Sequence, residues 1–404
     1  MLATRPARPT ASQRYNRFDM FSSRFQWNFE PNRVTRALEA RRREGARILD
    51  LTESNPTRAE IAYPAEMRSA FDDPRIWRYD PAPAGMAAAR EAVSDHYARR
   101  GLRIDAERIL LTASTSEAYA YLFKLLCDPG DAVLVPRPSY PLFEFLARME
   151  WVEVRTYPLL YHGGWSIDLQ TLAAGVTPRT RAVILVNPNN PTGSYGKRAE
   201  LEELRRLARE RGLALISDEV FADYPLSEDP ERVPSLACVT DCLAFSMSGL
   251  SKVSGLPQMK LGWIVVAGPE DLRRAAMERL EWIADTYLSV GTPVQCAAAT
   301  LLESGEAVQM QIRERTAANL ALAREVVRGS AANILSVEGG WYIPLQVPRV
   351  RSEEEWVLEL LEKESVLVQP GFFYDFDSEA YLVLSLLTAP EIFREGMTRL
   401  RRWI

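Results

Sequence analysis

Short apolar runs separated by helical segments constrain the fold of this chain more than any other feature. Between residues 108 and 266 most of these runs are nearly continuously apolar, as AVILV at 182–186 shows, without the alternation of a half-exposed strand. The runs are 108–112, 132–135, 152–157, 182–186, 213–217, 242–245 and 261–266. Strands that are buried on both faces and connected by helices have this pattern. The sequence therefore predicts an α/β fold with a mainly parallel seven-stranded sheet and helices on both faces.

The pattern changes after Ser330, where shorter strands and helices predict a smaller α+β domain. We expect four segments: an arm, 1–30; the first part of the small domain, 31–60; the large domain, 61–305; and the rest of the small domain, 306–404. The first 17 residues contain four arginines and no acidic residue. They have no amphipathic period and no apolar core, so we interpret them as a flexible arm in preference to a transit peptide.

Composition excludes several classes of function. The 404 residues carry a net charge of −5, which gives no reason to expect nucleic acid or an anionic membrane as partner. No apolar run approaches the roughly 20 residues that span a bilayer. The four cysteines lack metal-ligand spacing and the chain has two histidines, so we expect no metal site and no histidine triad. Reduced, structural thiols are typical of a cytoplasmic protein.

A lysine among small residues is the second unusual feature. Lys252 lies in SMSGLSKVSG, residues 246–255, between two apolar runs. Burial lowers the pKa of an ammonium group, which a lysine needs to act as a nucleophile or a base. Most positive charges are arginines, and the chain has only five lysines: Lys124, Lys197, Lys252, Lys260 and Lys363. Lys252 therefore indicates chemistry that guanidinium cannot perform, or else it only caps a strand end.

Other candidate site residues follow the predicted strands, where parallel sheets collect their ligands. These residues are Ser114, Thr115, Ser116, Tyr140, Asn190 and Asp218. The three hydroxyl residues begin a helix, whose free N–H groups and dipole favour phosphate. The tyrosine can lie against a flat ring, while the asparagine and aspartate add an amide and a carboxylate. Each also has a purely structural explanation, but together with Lys252 they match a phosphorylated pyridine aldehyde.

Three motifs carry a family resemblance: NPNNPTG at 187–193, ISDEVFADY at 216–224 and SGLSK at 248–252. With weaker support from Pro370-Gly371 and Gly339-Gly340, they resemble the fold-type I pyridoxal-phosphate enzymes. The resemblance is to the class I/II aminotransferases related to aspartate aminotransferase. It covers the chain from about residue 32 to the C-terminus and implies pyridoxal 5′-phosphate as cofactor.

The resemblance implies a role for each candidate. In that family the lysine at the Lys252 position holds the cofactor as a Schiff base, and the aspartate at the Asp218 position pairs with the ring nitrogen. The asparagine at the Asn190 position bonds the phenolate oxygen, and the tyrosine at the Tyr140 position stacks on the ring. The segment Ser114–Ser116 corresponds to the phosphate-binding segment.

Two further positions concern the neighbouring subunit and the substrate. Tyr79, in RYDPAPAG, resembles the tyrosine that reaches the phosphate of a second subunit, which implies a homodimer with shared active sites. The turn at Ser54 and Asn55 resembles the loop that borders the substrate.

The chain departs from the family pattern at several positions. Phe221 replaces a tyrosine that helps to hold the phenolate. Gly249 replaces a phosphate-binding serine, for which Ser248 or Ser251 can substitute. Lys260 stands where an arginine usually binds the phosphate, and an ammonium lacks the bidentate fork of guanidinium.

The largest departure concerns the arginine that binds the substrate α-carboxylate in the family. The corresponding segment, 382–385, is LVLS and contains no arginine. Either another cation binds the carboxylate, with Arg58 as first candidate, or the substrate is not an ordinary α-amino acid.

The leading hypothesis is an aminotransferase that moves an amino group from an α-amino acid to 2-oxoglutarate or pyruvate. A pyridoxal-phosphate-dependent lyase or decarboxylase is the alternative, because it needs the same cofactor residues. A non-catalytic regulatory domain is a third hypothesis. Four aromatic residues belong either to a substrate pocket or to the core: Tyr15, Trp27, Tyr63 and Trp341.

Overall fold

The computed structural model of the chain describes residues 21–25, 27, 30–288 and 290–404. Residues Asn32–Ile404 form one compact unit, separate from Met1–Pro31. In the latter, the described residues include one short 3₁₀ helix, Ser23–Phe25. Most of the predicted arm, including Tyr15, lies outside the described residues.

The strands of the described residues are numbered in chain order. They are β1 (Leu49–Asp50), β2 (Ile109–Thr112), β3 (Ala132–Arg137), β4 (Glu153–Tyr161), β5 (Trp165–Ile167), β6 (Thr180–Val186), β7 (Ala214–Asp218), β8 (Ala244–Gly249), β9 (Gly262–Ala267), β10 (Asn333–Ile334), β11 (Tyr342–Gln346), β12 (Val366–Leu367), β13 (Gln369–Pro370) and β14 (Tyr381–Ser385).

The helices are numbered in the same way. They are α1 (Arg33–Arg43), α2 (Glu66–Ser69), α3 (Ala87–Arg99), α4 (Thr115–Leu126), α5 (Leu142–Met149), α6 (Leu169–Gly175), α7 (Arg198–Arg211), α8 (Leu250–Val253), α9 (Glu270–Tyr287), α10 (Thr292–Glu303), α11 (Gly305–Val327), α12 (Glu353–Glu364) and α13 (Pro390–Leu400). Within the described residues, none of them combines the length and the apolar character that a membrane span requires.

The main sheet has the strand order β2-β9-β8-β7-β6-β3-β4-β5. The central pairs, from β8 through β7, β6 and β3 to β4, are parallel, whereas β9 is antiparallel to both of its neighbours. All seven predicted strands are present, and the predicted fold class is confirmed. The strand count needs one correction, because β5 adds an eighth strand. With three residues, β5 is too short for its sequence to show a pattern.

Both faces of the main sheet are buried, as the continuous apolar runs predict. Successive residues of β6 alternate between two hydrophobic clusters: Val183 and Leu185 belong to one, and Ala182, Ile184 and Val186 to the other. Helices α3, α7 and α10 contribute to the first cluster, and α4, α5 and α9 to the second. Because helices cover both faces, ligands have access to the sheet at its strand ends.

A smaller antiparallel sheet follows, with the order β10-β11-β14-β13. A third hydrophobic cluster packs it against residues of α1, α11, α12 and α13. Near it, β1 pairs in parallel with β12, so the N-terminal segment joins the C-terminal one. The domain boundaries given above remain predictions.

Candidate active site

A cavity of about 340 Å³ lies at the carboxyl ends of β6, β7 and β8. The structure brings six of the predicted site residues together on its wall: Thr115, Ser116, Tyr140, Asn190, Asp218 and Lys252. They come from five separate segments of the chain. The spatial arrangement is the one expected when ligands collect at the carboxyl ends of parallel strands.

Lys252 lies in α8, a single helical turn directly after β8, and not in an irregular loop. Three side chains hold the backbone of this turn. Tyr224 Oη donates to the carbonyl of Lys252 at 2.5 Å, and Gln309 Nε2 donates to that of Val253 at 2.8 Å. Tyr63 Oη donates to the carbonyl of Gly255 at 2.7 Å. The main chain that carries the amine is therefore fixed, and only the side chain can move.

The surroundings of Lys252 Nζ are aromatic. The nitrogen lies 4.8 Å from the ring centroid of Trp341 and 5.5 Å from that of Phe221. Burial lowers the pKa of Lys252 to about 8, and the negative charge of Asp218 opposes this shift. About a tenth of the amine is therefore unprotonated at pH 7, far more than for an ordinary lysine, and a base needs this unprotonated form.

Asp218, the last residue of β7, presents its carboxylate to the same cavity. Burial raises its pKa to about 6, against the opposing hydrogen bonds from Val220 N–H and the Tyr119 hydroxyl. These bonds measure 3.3 Å to Oδ1 and 3.2 Å to Oδ2. Above about pH 6 the group is an anion that can hold a positive charge on a ligand.

Tyr119 is a site residue that sequence reasoning missed. It lines the cavity and donates to Asp218. Its position in the sequence gave one usable signal, because it follows Thr115 by four residues on α4. Residues at this spacing lie on the same face of a helix.

The N-terminus of α4 points at the cavity and carries two of the three predicted hydroxyl residues. Thr115 and Ser116 line the cavity, and the first N–H groups of a helix favour an anion. Ser114 does not line it, because its hydroxyl accepts from Glu117 N–H at 3.2 Å as the N-cap. Its structural explanation, the capping serine, therefore applies.

Two serines near Lys252 differ from the prediction in their placement. Ser251 lines the cavity, whereas Ser248 is buried away from it and its hydroxyl has no partner among the described residues. A side chain at Gly249 would not fit, because its Cβ would lie 2.9 Å from the Leu261 carbonyl oxygen. The serine of the family is thus excluded at this position by close packing against β9.

Four other predicted residues do not line the cavity of their own chain: Asn55, Arg58, Tyr79 and Lys260. The Asn55 side chain caps the next turn by accepting from Thr57 N–H at 3.1 Å, and its neighbour Ser54 lines the cavity instead. Arg58 and Lys260 are exposed. Arg58 does not line the cavity in the described conformation, and its role as the cation for the substrate remains a prediction.

The aromatic wall of the cavity also differs from the prediction. Tyr63 bonds the main chain just after the Lys252 turn and Trp341 packs against the Lys252 side chain, but neither of them lines the cavity. The aromatic residues that do line it are Tyr119, Tyr140, Phe143, Phe221, Tyr342 and Tyr374. No group of three or more His, Cys, Asp or Glu side chains in the described residues could hold a metal ion.

Several solved structures with this fold are aminotransferases. An aminotransferase from Escherichia coli matches with a TM-score of 0.84 and 25% identity, covering 95% of this chain and 97% of that chain. Alanine aminotransferase from Pyrococcus furiosus matches with a TM-score of 0.81 and 26% identity, over 92% and 95% of the two chains. Fold and cavity together define an enzyme of the aspartate aminotransferase-like class, fold type I.

The sequence matches the family Aminotransferase class I and II over residues 47–392, so the chain belongs to this family. Glutamate-pyruvate aminotransferase AlaA of Escherichia coli K12 is 28% identical over 300 residues, 72% of this chain and 74% of that protein. Alanine aminotransferase of Mycobacterium tuberculosis is 27% identical over 356 residues, 85% and 82% of the two chains. The protein is a transaminase that moves an amino group from an α-amino acid to a 2-oxo acid, and nothing among these relatives favours the lyase or decarboxylase alternative.

The cofactor of this family is pyridoxal 5′-phosphate, and the residues present fit it. The cavity wall offers an amine, a carboxylate and a helix N-terminus. Asn190 is 7% exposed, and its Oδ1 has no hydrogen-bond partner among the described residues. A buried amide without a partner is costly unless a ligand completes its hydrogen bonds.

Proposed function

We propose that Lys252 binds the cofactor and moves the proton during amino-group transfer, with Asp218 facing the ring nitrogen. One observation carries this proposal: the amine and the carboxylate line the same 340 Å³ cavity from successive strand ends. When bound, the cofactor supplies a pyridine ring that accepts the electron pair of the substrate Cα–H bond. Asp218, ionised above about pH 6, keeps the ring nitrogen protonated.

Proton transfer is the task of the lysine in this proposal. The unprotonated Lys252 Nζ would accept the proton of the substrate Cα as a general base and would return it as a general acid. The lowered pKa of the amine, about 8, matches this double role. Hydrogen bonds to the main chain around α8 restrict movement mainly to the Lys252 side chain, which would help it to serve as both base and acid.

The remaining cavity residues position the cofactor. Asn190 bonds the phenolate oxygen, and Tyr140 packs on the ring. The phosphate is held by Thr115 and Ser116 at the N-terminus of α4, together with Ser251. This assignment is supported by the placement of these side chains on one wall.

The substrates that we propose are an α-amino acid as donor and pyruvate or 2-oxoglutarate as acceptor. The name of the Escherichia coli relative, glutamate-pyruvate aminotransferase, supports an α-amino acid donor and pyruvate as acceptor. A cytoplasmic location goes with this role in amino-acid metabolism, and the absence of disulfides among the four cysteines supports it.

The test is an absorbance titration of the purified holoenzyme with single amino acids. We expect a donor to convert the aldehyde form of the cofactor to the amine form, with release of one 2-oxo acid, and pyruvate or 2-oxoglutarate to reverse the change. The rate should fall at acid pH, where Asp218 becomes protonated, and the positive charge on the ring nitrogen should move this limb below pH 6. Turnover with the aldehyde form retained throughout would contradict transamination and favour a lyase.

We also propose that the enzyme is a homodimer in which Tyr79 reaches the active site of the other subunit. Tyr79 is 70% exposed and Trp77 is 88% exposed. Two large aromatic residues this exposed on one loop are typical of an interaction surface.

Subunit mixing tests this arrangement. Equal amounts of Tyr79→Ala and Lys252→Ala chains are unfolded and refolded together. Half of the dimers are then hybrids with one complete site, so we expect about a quarter of wild-type activity. Activity equal to the mean of the two separately refolded variants would contradict a shared site.

A further inference from the structure

One face of the small sheet forms the end of the cavity opposite the main sheet. In its antiparallel register Gln369 lies opposite Val383, and Val383 lies opposite Pro344. Directly paired residues point to the same face of a sheet, as does Tyr342, two residues before Pro344. Gln369 and Tyr342 line the cavity, and Val383 packs in the same hydrophobic cluster as Tyr342. Its neighbours Leu382 and Leu384 belong to the other cluster.

The polar groups on this face are uncharged. Tyr374 Oη donates a hydrogen bond to Gln369 Oε1, which leaves Gln369 Nε2 without an acceptor among the described residues. Ser54 and Tyr342 both line this end of the cavity, and the Ser54 hydroxyl lowers the pKa of Tyr342 against the effect of burial. Val383, 1% exposed, separates these groups from the core. This end of the cavity therefore offers an amide N–H and hydroxyl groups but no fixed cation.

The charges around the cavity do not supply that cation either. Among the described residues that line it, Lys252 is the only cationic side chain and Asp218 the only acidic one. Lys252 is occupied by the cofactor in the proposed function. At the small-sheet end burial raises the pKa of Tyr342 to about 12, with smaller contributions in the same direction from Tyr140 and Glu53. The lining residues at this end therefore provide no positive charge for a bound anion.

We infer that the acid group of the amino donor is bound by Gln369 and Tyr342 through uncharged hydrogen bonds, so that a carboxamide is accepted there nearly as well as a carboxylate. The inference rests on the proposed function, because it takes this cavity as the substrate site. Gln369 is a specificity-determining residue in this scheme. A bound cation would instead favour the carboxylate by about thirtyfold or more, since hydrogen bonds between charged groups are roughly twice as strong.

The probes are 2-aminoisobutyrate and its carboxamide, which carry no α-hydrogen and therefore report binding without turnover. Their Kd values for the holoenzyme are measured from the change in cofactor absorbance. Each Kd is calculated from the concentration of probe whose amine is unprotonated. We expect the two wild-type values to differ by less than about thirtyfold. A larger preference for the carboxylate overturns the inference, because it requires a cation from outside the described residues.

Variants locate the contact. Gln369→Leu should weaken both probes by about tenfold, and Gln369→Glu should weaken the carboxylate at least about tenfold more than the carboxamide. Val383→Arg should raise the preference for the carboxylate by about tenfold or more, with Val383→Met as the uncharged control of similar bulk. Unchanged Kd values in both Gln369 variants would overturn the inference.

The outcome is separable from that of the proposed function. A failure of every amino acid to convert the cofactor would count against transamination, whatever the ratio of the two Kd values. Conversely, the wild-type enzyme could transaminate normally and still bind the carboxylate probe more than thirtyfold more tightly than the carboxamide. That result would support the proposed function and contradict this inference.

Discussion

Lys252→Ala is expected to lower the rate of amino-group transfer by about 10⁴-fold or more, the upper range for a lost general base. The variant removes both the group that moves the proton and the amine that binds the cofactor. The cofactor absorbance should therefore change to that of a free or non-covalently bound aldehyde. Stopped-flow absorbance with saturating donor measures the rate, and mass spectrometry after borohydride reduction measures covalent attachment.

Lys363→Ala is the matched control for this variant. Lys363 is an exposed lysine that pairs with Glu359 at 2.7 Å on α12, away from the cavity. Its removal should leave rate and absorbance unchanged. Borohydride-stable attachment of the cofactor in Lys252→Ala would show that another amine performs the reaction and would overturn the assignment.

Asp218→Asn is expected to lower kcat by about 10²- to 10³-fold while the fold is retained. The neutral amide preserves the shape of the side chain but no longer holds a positive charge on the ring nitrogen. The loss should be in kcat more than in KM, because the missing interaction matters most when the ring accepts electrons. Steady-state kinetics with the best donor give kcat and KM separately for the wild type and the variant.

Tyr119→Phe is a milder change to the surroundings of Asp218, with which Asp218→Asn can be compared. It removes one hydrogen bond to Asp218 Oδ2 and leaves the carboxylate in place, so a loss of no more than about tenfold is expected. Because that hydrogen bond lowers the pKa of Asp218, the pKa should rise from about 6. The acid limb of the rate profile should shift to higher pH. A kcat for Asp218→Asn equal to that of Tyr119→Phe would rule out a special role for the charge.

The sequence predicts the main sheet well because burial on both faces leaves a strong local signal. Continuous apolar runs mark the central strands, and the order of polar residues after them predicts which side chains meet. Asn190, Asp218 and Lys252 are brought together by strand order alone, which the helical connections determine. The short strand β5 gives no comparable signal.

The details of the site depend on competition for hydrogen bonds, which sequence patterns do not resolve. Ser114 and Asn55 both cap the following turn, so neighbouring residues line the cavity in their place. Gln369 and Tyr374 could not be predicted either. They approach the cavity through packing of the small sheet, with no motif around them.

The cavity is built from two sheets with different tasks. Strand ends of the main sheet carry the amine and the carboxylate, whereas β11 and β13 of the small sheet carry the groups proposed to bind the donor. Substitutions in the small sheet can therefore change donor preference without altering the catalytic pair. A directed-evolution library limited to β11, β13 and β14 could therefore select variants that accept other amino donors. Natural variation in these strands could have the same effect, while the reaction itself stays the same.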